Sequence, residues 1–200
     1  MDNQNHLDFL TRVGVVTLGN KDAEVFAFLL DNVSINDFSI PSEFVNAMWA
    51  KYESYPQKSN SLNGGVFEAI LATAMLLNGL SPIYVQAKVV FVPNVFFDFI
   101  LYSTECGPIS ISAKTSLRER YKQADLEAIS LKYVHRKSKS YLLTLSKSEA
   151  KVVAKIKNGD LLGIDEIIVA TTAEFDELIK SLKNYTLSSQ KKLRSFSFQK

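Results

Sequence analysis

A chain of 200 residues is long enough to bury a substantial core and short enough to form one domain. Apolar residues make up 46% of the chain and charged residues 22%, and this balance excludes a wholly disordered protein. The net charge of +2 is too small to indicate a partner, but the Lys and Arg residues are grouped locally, which favours one positive face.

Three features of the sequence indicate a cytoplasmic protein. The single cysteine excludes an internal disulfide, and no Cys or His stands near it in sequence to form a zinc site. The first nine residues, MDNQNHLDF, lack the positive lead-in of a signal peptide. The most apolar run, residues 66–80, carries Glu68 and is too short to span a bilayer. We therefore expect a reducing compartment and no membrane partner.

The first 60 residues are predicted to form a helical N-terminal subregion. Apolar residues recur at helical spacing in 21–32 and again in 42–54, and the polar stretch 56–63 reads as a loop. Residues 61–200 are predicted to form the core. We expect both parts to belong to a single domain.

The core opens with a helix, residues 63–80, that is apolar on nearly every side and is therefore buried. A strand over 81–93 and a hairpin over 94–114 follow. The remaining elements alternate: a helix from Ser116 to about His135, a strand (138–146), a helix (147–159), a strand (165–170) and a helix (171–184). This order predicts an α/β fold with a mixed central β-sheet flanked by helices.

The hairpin contains the first candidate for chemistry. Asp98 lies among aromatic and aliphatic residues, where an unpaired carboxylate is costly unless it binds a cation or a positive side chain. A three-residue loop, Glu105-Cys106-Gly107, would set Asp98 directly opposite Lys114. Alternation puts Lys114 on the same face as Ser112. The alternative is an ordinary Lys at a strand end, which leaves a buried Asp98 unexplained.

The helix after Ser116 supplies a second acid. On a helical wheel its buried stripe is Leu117, Tyr121, Ala124, Ala128 and Leu131. Arg120, Gln123 and Glu127 lie on one flank of that stripe, whereas Asp125 lies on the other. Glu119 is predicted to pair with Ser116 in a capping box. Glu127 is therefore the acid that can lean towards Asp98 and Lys114, unless it is simply a solvated helix carboxylate.

Glu68 is the only charged residue of the apolar helix and has two interpretations. In the first turn it would be stabilised by the helix dipole. It could equally lie in the outer shell of a metal site. His6 and His135 have no Ser, Cys or acidic partner at a motif spacing, so a Ser-His-Asp hydrolase is not expected, and no glycine-rich nucleotide motif is present.

The array Glu68, Asp98, Ser112-Ala113-Lys114 and Glu127 resembles the PD-(D/E)xK nuclease superfamily. In most members an acid stands two residues before the Lys, where this chain has Ser112. The resemblance is to the branch of type II restriction endonucleases, including enzymes that cut CCGG-type and CCWGG-type sites, in which the following helix supplies that acid. Glu127 stands thirteen residues after Lys114, as in that branch, and the Arg-rich stretch KTSLRERYKQADLEA also looks like it.

The resemblance covers roughly residues 62 to 183 and departs from the family in one place, since Phe97 precedes Asp98 where a Pro often stands. It implies a type II site-specific deoxyribonuclease with Mg²⁺ held by Asp98, Glu127 and the Ala113 carbonyl. Lys114 would orient the attacking water, and Glu68 would act in the outer shell or at a second metal. The DNA-contacting residues it implies are Arg118 and Arg120 at guanines, Gln123, and the phosphate contacts Lys122, Lys139 and the basic end, 190–194.

The implied partners are double-stranded DNA and a second copy of the chain. One Asp98 and Lys114 pair cuts one strand, whereas a restriction enzyme must cut two, so we expect a homodimer. The aromatic residues of the N-terminal helices, Phe26, Phe44, Trp49 and Tyr52, either form its surface or pack against the sheet.

Three alternatives stay open at this point. The chain could be a structure-selective DNA repair or junction nuclease of the same superfamily, or a non-catalytic DNA-binding protein. It could also be an unrelated α/β binding protein in which Asp98 and Lys114 form a structural ion pair.

Overall fold

A computed structural model of the chain describes residues 3–17, 19–146, 148 and 150–189. Its helices are α1 (Asn3–Arg12), α2 (Lys21–Asn32), α3 (Pro41–Glu53), α4 (Asn60–Leu77), α5 (Arg120–Val134), α6 (Ala150–Lys157) and α7 (Ala173–Lys183), with a short 3-10 turn at Ile35–Asp37. Its strands are β1 (Tyr84–Ala87), β2 (Phe97–Ser103), β3 (Gly107–Lys114), β4 (Lys139–Thr144) and β5 (Glu166–Val169). None of the helices in these described ranges is both long and apolar enough to cross a membrane.

The five strands form one mixed sheet in the order β1-β2-β3-β4-β5. β1, β2 and β3 are antiparallel neighbours, whereas β3, β4 and β5 run parallel. Residues of α1 to α4 and α7 pack with one face of the sheet, and α5 and α6 pack with the other. The predicted α/β fold with a mixed central sheet flanked by helices is confirmed.

The faces of β3 follow the predicted alternation. Ile109, Ile111 and Ala113 belong to the large cluster that also contains α4, whereas the Ser110 hydroxyl points to the other face and donates to Ser140 Oγ at 2.9 Å. The predicted stripe is buried in full, although its first member precedes α5: Leu117, Tyr121, Ala124, Ala128 and Leu131.

The N-terminal helices share this core. Phe26, Phe44 and Tyr52 are at most 2% exposed, so the suggestion that they form a dimer surface is wrong. Trp49 is partly buried and its ring contacts those of Tyr52 and Phe67. Burial offsets the cost of ordering three helices that would be marginal alone.

Two helix starts differ from the prediction, each for a local reason. α4 begins at Asn60 because the Ser59 hydroxyl accepts from the Leu62 N–H at 3.1 Å, a standard N-cap. α5 begins only at Arg120, since Arg118 has φ of +34° and cannot continue a right-handed helix. The predicted capping box of Ser116 and Glu119 is therefore wrong, and Glu119 instead pairs with Lys122 on the surface.

The predicted strand over 81–93 is also much shorter than expected. β1 ends at Ala87, and Val92 N–H then donates to the Val89 carbonyl at 3.1 Å, which closes a tight turn. The apolar run VVFV belongs to this turn and its buried flanks, because periodicity alone cannot separate a short strand from an apolar loop.

Candidate active site

Several strand ends meet at one end of the sheet. β3 ends at Lys114, β1 ends at Ala87, and β2 begins at Phe97, immediately before Asp98. The α5 helix starts a few residues after Lys114. This end therefore collects charged side chains from elements that are distant in sequence.

Asp98 and Lys114 form a nearly buried ion pair here. Lys114 Nζ lies 2.8 Å from Asp98 Oδ2, and the two side chains are 15% and 11% exposed. The same carboxylate oxygen accepts the Ala113 N–H at 2.8 Å. The pair is therefore held by backbone as well as by charge.

The hairpin register differs from the prediction by two residues. Ser103 pairs with Gly107, so the three-residue loop is Thr104-Glu105-Cys106 and not Glu105-Cys106-Gly107. Continuing the register sets Asp98 opposite Ser112, with Lys114 one step further along the same face. A two-residue slip preserves the face of every side chain, and the long Lys114 side chain reaches back along the strand.

Gln86 is a site residue that the sequence reasoning missed. It lies opposite Asp98 in β1, and its Nε2 donates to Glu68 Oε2 at 2.8 Å and approaches Asp98 Oδ1 at 3.4 Å. Its φ of +46° is a conformation that costs of order 1 to 3 kcal/mol for a non-glycine residue. The available signal was a lone amide within the apolar strand sequence YVQA.

Glu68 lies beside this amide and not at a helix terminus. α4 begins at Asn60, which puts Glu68 in the third turn, so the interpretation by the helix dipole is wrong. Burial raises the pKa of Glu68 to about 7, with a further contribution from the negative charge of Asp98. The side chain lines a cleft of about 180 Å³ together with Gln86, Asp22 and the segment 14–17.

Glu127 and not Asp125 is the helix acid that faces the pair. Burial raises the pKa of Glu127, and it interacts electrostatically with both Lys114 and Asp98. Gln123 Nε2 donates to Glu127 Oε1 at 2.8 Å. Asp125 has a different role, because its carboxylate accepts the backbone N–H groups of Leu162, Gly163 and Ile164 and so orders the loop before β5.

The residues expected to contact DNA differ in how far their side chains are already bound within the protein. Four exposed residues follow Lys114 in the chain: Arg118 in the loop before α5, and Arg120, Lys122 and Gln123 in its first turn. In the described part of the chain, neither Arg118 nor Arg120 forms a salt bridge. Gln123, in contrast, is engaged by Glu127.

Lys139 does not fit the expected phosphate contact near the pair. It lies beside Ile109 in the β3–β4 register, whereas Lys114 lies beside Thr144, a separation of about 16 Å along the strands. Its ammonium is 3.9 Å from Asp165. The basic end 190–194 lies outside the described residues.

The donor set fits a hard cation of the Mg²⁺ type. Among the described residues, no three His, Cys, Asp or Glu side chains stand close enough to hold a metal by themselves. Mg²⁺ needs only one or two carboxylates, because it keeps several of its waters. Asp98 and Glu127 supply two such carboxylates, and burial is the main cause of the raised pKa of both Glu127 and Glu68.

Comparison of the chain with known protein families, with curated protein sequences and with solved structures finds no significant match. The functional interpretation therefore depends on the geometry of this site.

Proposed function

We propose that the protein is a Mg²⁺-dependent endonuclease that hydrolyses phosphodiester bonds at a specific site in double-stranded DNA. The observation that carries the proposal is the Lys114–Asp98 pair at 2.8 Å, with Glu127 and Glu68 close enough to interact with both members. An acid and a Lys on neighbouring strands, with a second acid on the next helix, supply the metal ligands and the cation that phosphodiester hydrolysis needs.

Each side chain has a separate task in this proposal. Asp98 and Glu127 hold the metal, which when bound polarises the scissile phosphate and lowers the pKa of the attacking water. Asp98 directs the Lys114 ammonium through their hydrogen bond, so that it can orient that water and offset negative charge developing on the phosphate. The Ala113 N–H fixes the Asp98 carboxylate, and Gln123 fixes Glu127.

Gln86 and Glu68 support the same centre from the other side of Asp98. The Gln86 amide has two N–H donors, which allows it to bind Glu68 and approach Asp98 together. Glu68 thereby stays close to Asp98 despite the like charge. Its place is an outer-shell contact to the metal or its waters.

Base recognition is assigned to the start of α5. Arg118 and Arg120 are exposed, and a guanidinium can donate two parallel hydrogen bonds to guanine O6 and N7 in the major groove. Lys122 forms an exposed salt bridge with Glu119, and its ammonium suits a contact with a phosphate. This division favours a sequence-specific enzyme over the structure-selective repair nuclease.

Cleavage of both strands is assigned to a homodimer, since each chain carries one Lys114–Asp98 pair. A two-fold axis would present the same half-site of a palindromic sequence to each copy. Sedimentation at micromolar concentration, with and without cleavable duplex, tests this: a strict monomer on DNA that it cuts in both strands would contradict the dimer.

A digest of mixed phage DNA tests the function directly. With Mg²⁺ we expect discrete fragments, and without Mg²⁺ or with a chelator we expect none. Uncut DNA that is nevertheless bound would indicate the non-catalytic DNA-binding protein. Neither binding nor cleavage would leave the structural ion pair as the correct interpretation.

A further inference from the structure

The segment between β1 and β2 carries an exposed aromatic ring at the tip of its tight turn. Phe91 is the third residue of the turn 89–92 and has φ of +66°, a position that favours Gly or Asn because an L side chain is strained there. Phe91 is nevertheless 83% exposed, so little burial offsets this strain. A bulky side chain held outward in a disfavoured conformation indicates an external contact.

Two buried valines determine where the turn points. Val89 and Val92 are 3% and 4% exposed and belong to a cluster with Phe97, Ile100 and Leu131. Between them, Val90 is 48% exposed beside Phe91. The turn therefore presents two apolar side chains from a backbone that is anchored on both sides.

The turn is tied to the candidate active site. Ala87 pairs with Phe97, the residue before Asp98, and Phe91 is the fourth residue after Ala87. A fully extended chain of that length spans about 14 Å, so the Cα of Phe91 lies within about 20 Å of the start of β2.

The charge around the turn is positive. Residues 88–96 contain no acid, and their one ionised side chain, Lys88, lies 4.5 Å from the centroid of the Phe96 ring. The exposed Arg118, Arg120 and Lys122 belong to the loop and helix that follow Lys114 at this end of the sheet. An apolar tip beside the cation Lys88, at the end of the sheet where these exposed cations follow Lys114, complements a polyanion with a stacked apolar interior, which describes duplex DNA.

We propose that Phe91, with Val90 beside it, inserts between base pairs of the duplex held at the Asp98 and Lys114 site, and that Lys88 contacts a neighbouring phosphate. This inference rests on the proposed function. Phe is among the side chains with which DNA-binding proteins wedge open a base step and kink the duplex. Such a wedge accounts for both the exposure and the strain of Phe91.

Substitution Phe91→Gly separates this role from folding. Gly accepts a positive φ, so the variant should unfold at a slightly higher temperature than the wild type. Its affinity for fluorescein-labelled duplex DNA of the cleaved sequence, measured without divalent metal, should fall roughly tenfold, since base–aromatic stacking is lost. The slope of log affinity against log salt should stay unchanged, because the ring carries no charge, whereas Lys88→Ala should reduce that slope by about one.

Leu162→Ala is the matched control, since Leu162 is 71% exposed in the loop before β5, away from the end that holds Lys114. It should bind DNA like the wild type. If Phe91→Gly binds the duplex as tightly as the wild type does, the proposed wedge is overturned and the proposed nuclease function is unaffected. A wild-type protein that neither binds nor cuts duplex would instead overturn the nuclease. Binding to phosphatidylserine vesicles but not to DNA, lost in Phe91→Gly, would replace the DNA wedge by a membrane contact.

Discussion

Lys114 Nζ reaches Asp98 Oδ2 at 2.8 Å although Asp98 lies opposite Ser112 in the hairpin and not opposite Lys114. The Lys side chain extends back along β3 to make the contact, and the Ala113 N–H binds the same oxygen. The contact therefore orients Asp98 so that its second oxygen, Oδ1, meets only the long approach of Gln86 at 3.4 Å among the residues that the structure describes. A carboxylate oxygen with so weak a hydrogen bond is suited to bind a cation.

Charge removal at the pair should abolish cleavage while leaving DNA binding intact. We expect Asp98→Asn, Lys114→Met and Glu127→Gln each to lower the Mg²⁺-dependent cleavage rate at least about 100-fold. The measurement is single-turnover cleavage alongside DNA affinity and thermal unfolding. The double variant Asp98→Asn/Lys114→Met leaves no unpaired charge, so it should fold well and remain inactive. Activity in that double variant would identify the pair as purely structural.

Glu68 should make the metal-free protein less stable as the pH rises. Its folded pKa of about 7 exceeds its ordinary value of 4.5, so the fold favours the protonated acid. That stabilisation is complete below about pH 4.5 and is lost as the pH rises through about 7. Glu68→Gln should therefore gain about 3 kcal/mol over the wild type at alkaline pH and almost nothing at acidic pH. Urea unfolding across this pH range measures the difference, and a constant difference at every pH would contradict it.

Replacing Gln86 should change the site because its amide is lost, and not because the protein becomes less stable. Its amide donates to Glu68 and so lowers the pKa of that carboxyl, and its removal in Gln86→Gly should raise the pKa further. The same change relieves the positive φ, so the free energy of unfolding should stay equal or increase. Carboxyl NMR titration reports the pKa. An unchanged Glu68 titration together with full cleavage would remove Gln86 from the site.

Arginine and lysine changes at the start of α5 should have different effects on specificity. Arg118→Ala and Arg120→Ala should reduce affinity for the cleaved sequence by about 1 to 3 kcal/mol each and affinity for random DNA much less. Lys122→Ala should weaken both about equally and reduce the salt slope by about one. Competition binding with the two DNAs makes the comparison, and equal losses on both for the Arg variants would exclude base recognition by them.

Replacement of two glycines by alanine should change the stability of the protein in opposite directions. A Cβ on Gly163 would lie 2.5 Å from the Asp125 carbonyl oxygen and from the Ile129 nitrogen, and backbone atoms cannot move aside cheaply. Gly163→Ala should therefore cost about 1 to 3 kcal/mol of stability. Gly64 lies inside α4, and beyond its chain neighbours and the nearby backbone of that helix no described atom lies within 4 Å of such a Cβ, so Gly64→Ala should stabilise by about 0.5 to 1 kcal/mol. Chemical denaturation compares the two, and equal changes in the same direction would show that the close contact at Gly163 is absent.

The sequence predicted the elements of the fold because each carries a local pattern. The alternation in β3 and the helical stripe of α5 determined which side chains are buried, and Asp98 was identifiable because a carboxylate surrounded by aromatic residues needs a partner. The wheel also separated Glu127 from Asp125, since the angle between two residues on one helix depends only on their spacing.

Only the tertiary structure decided the contacts between elements. The hairpin register, the third-turn location of Glu68 and the bridge from Gln86 depend on which atoms meet across strands and helices, and residue order does not specify this. The tertiary structure also decided three backbone conformations. Gln86, Phe91 and Arg118 have positive φ values, although these residue types favour other conformations. Packing of the whole chain holds them there, so a local sequence pattern could not have predicted them.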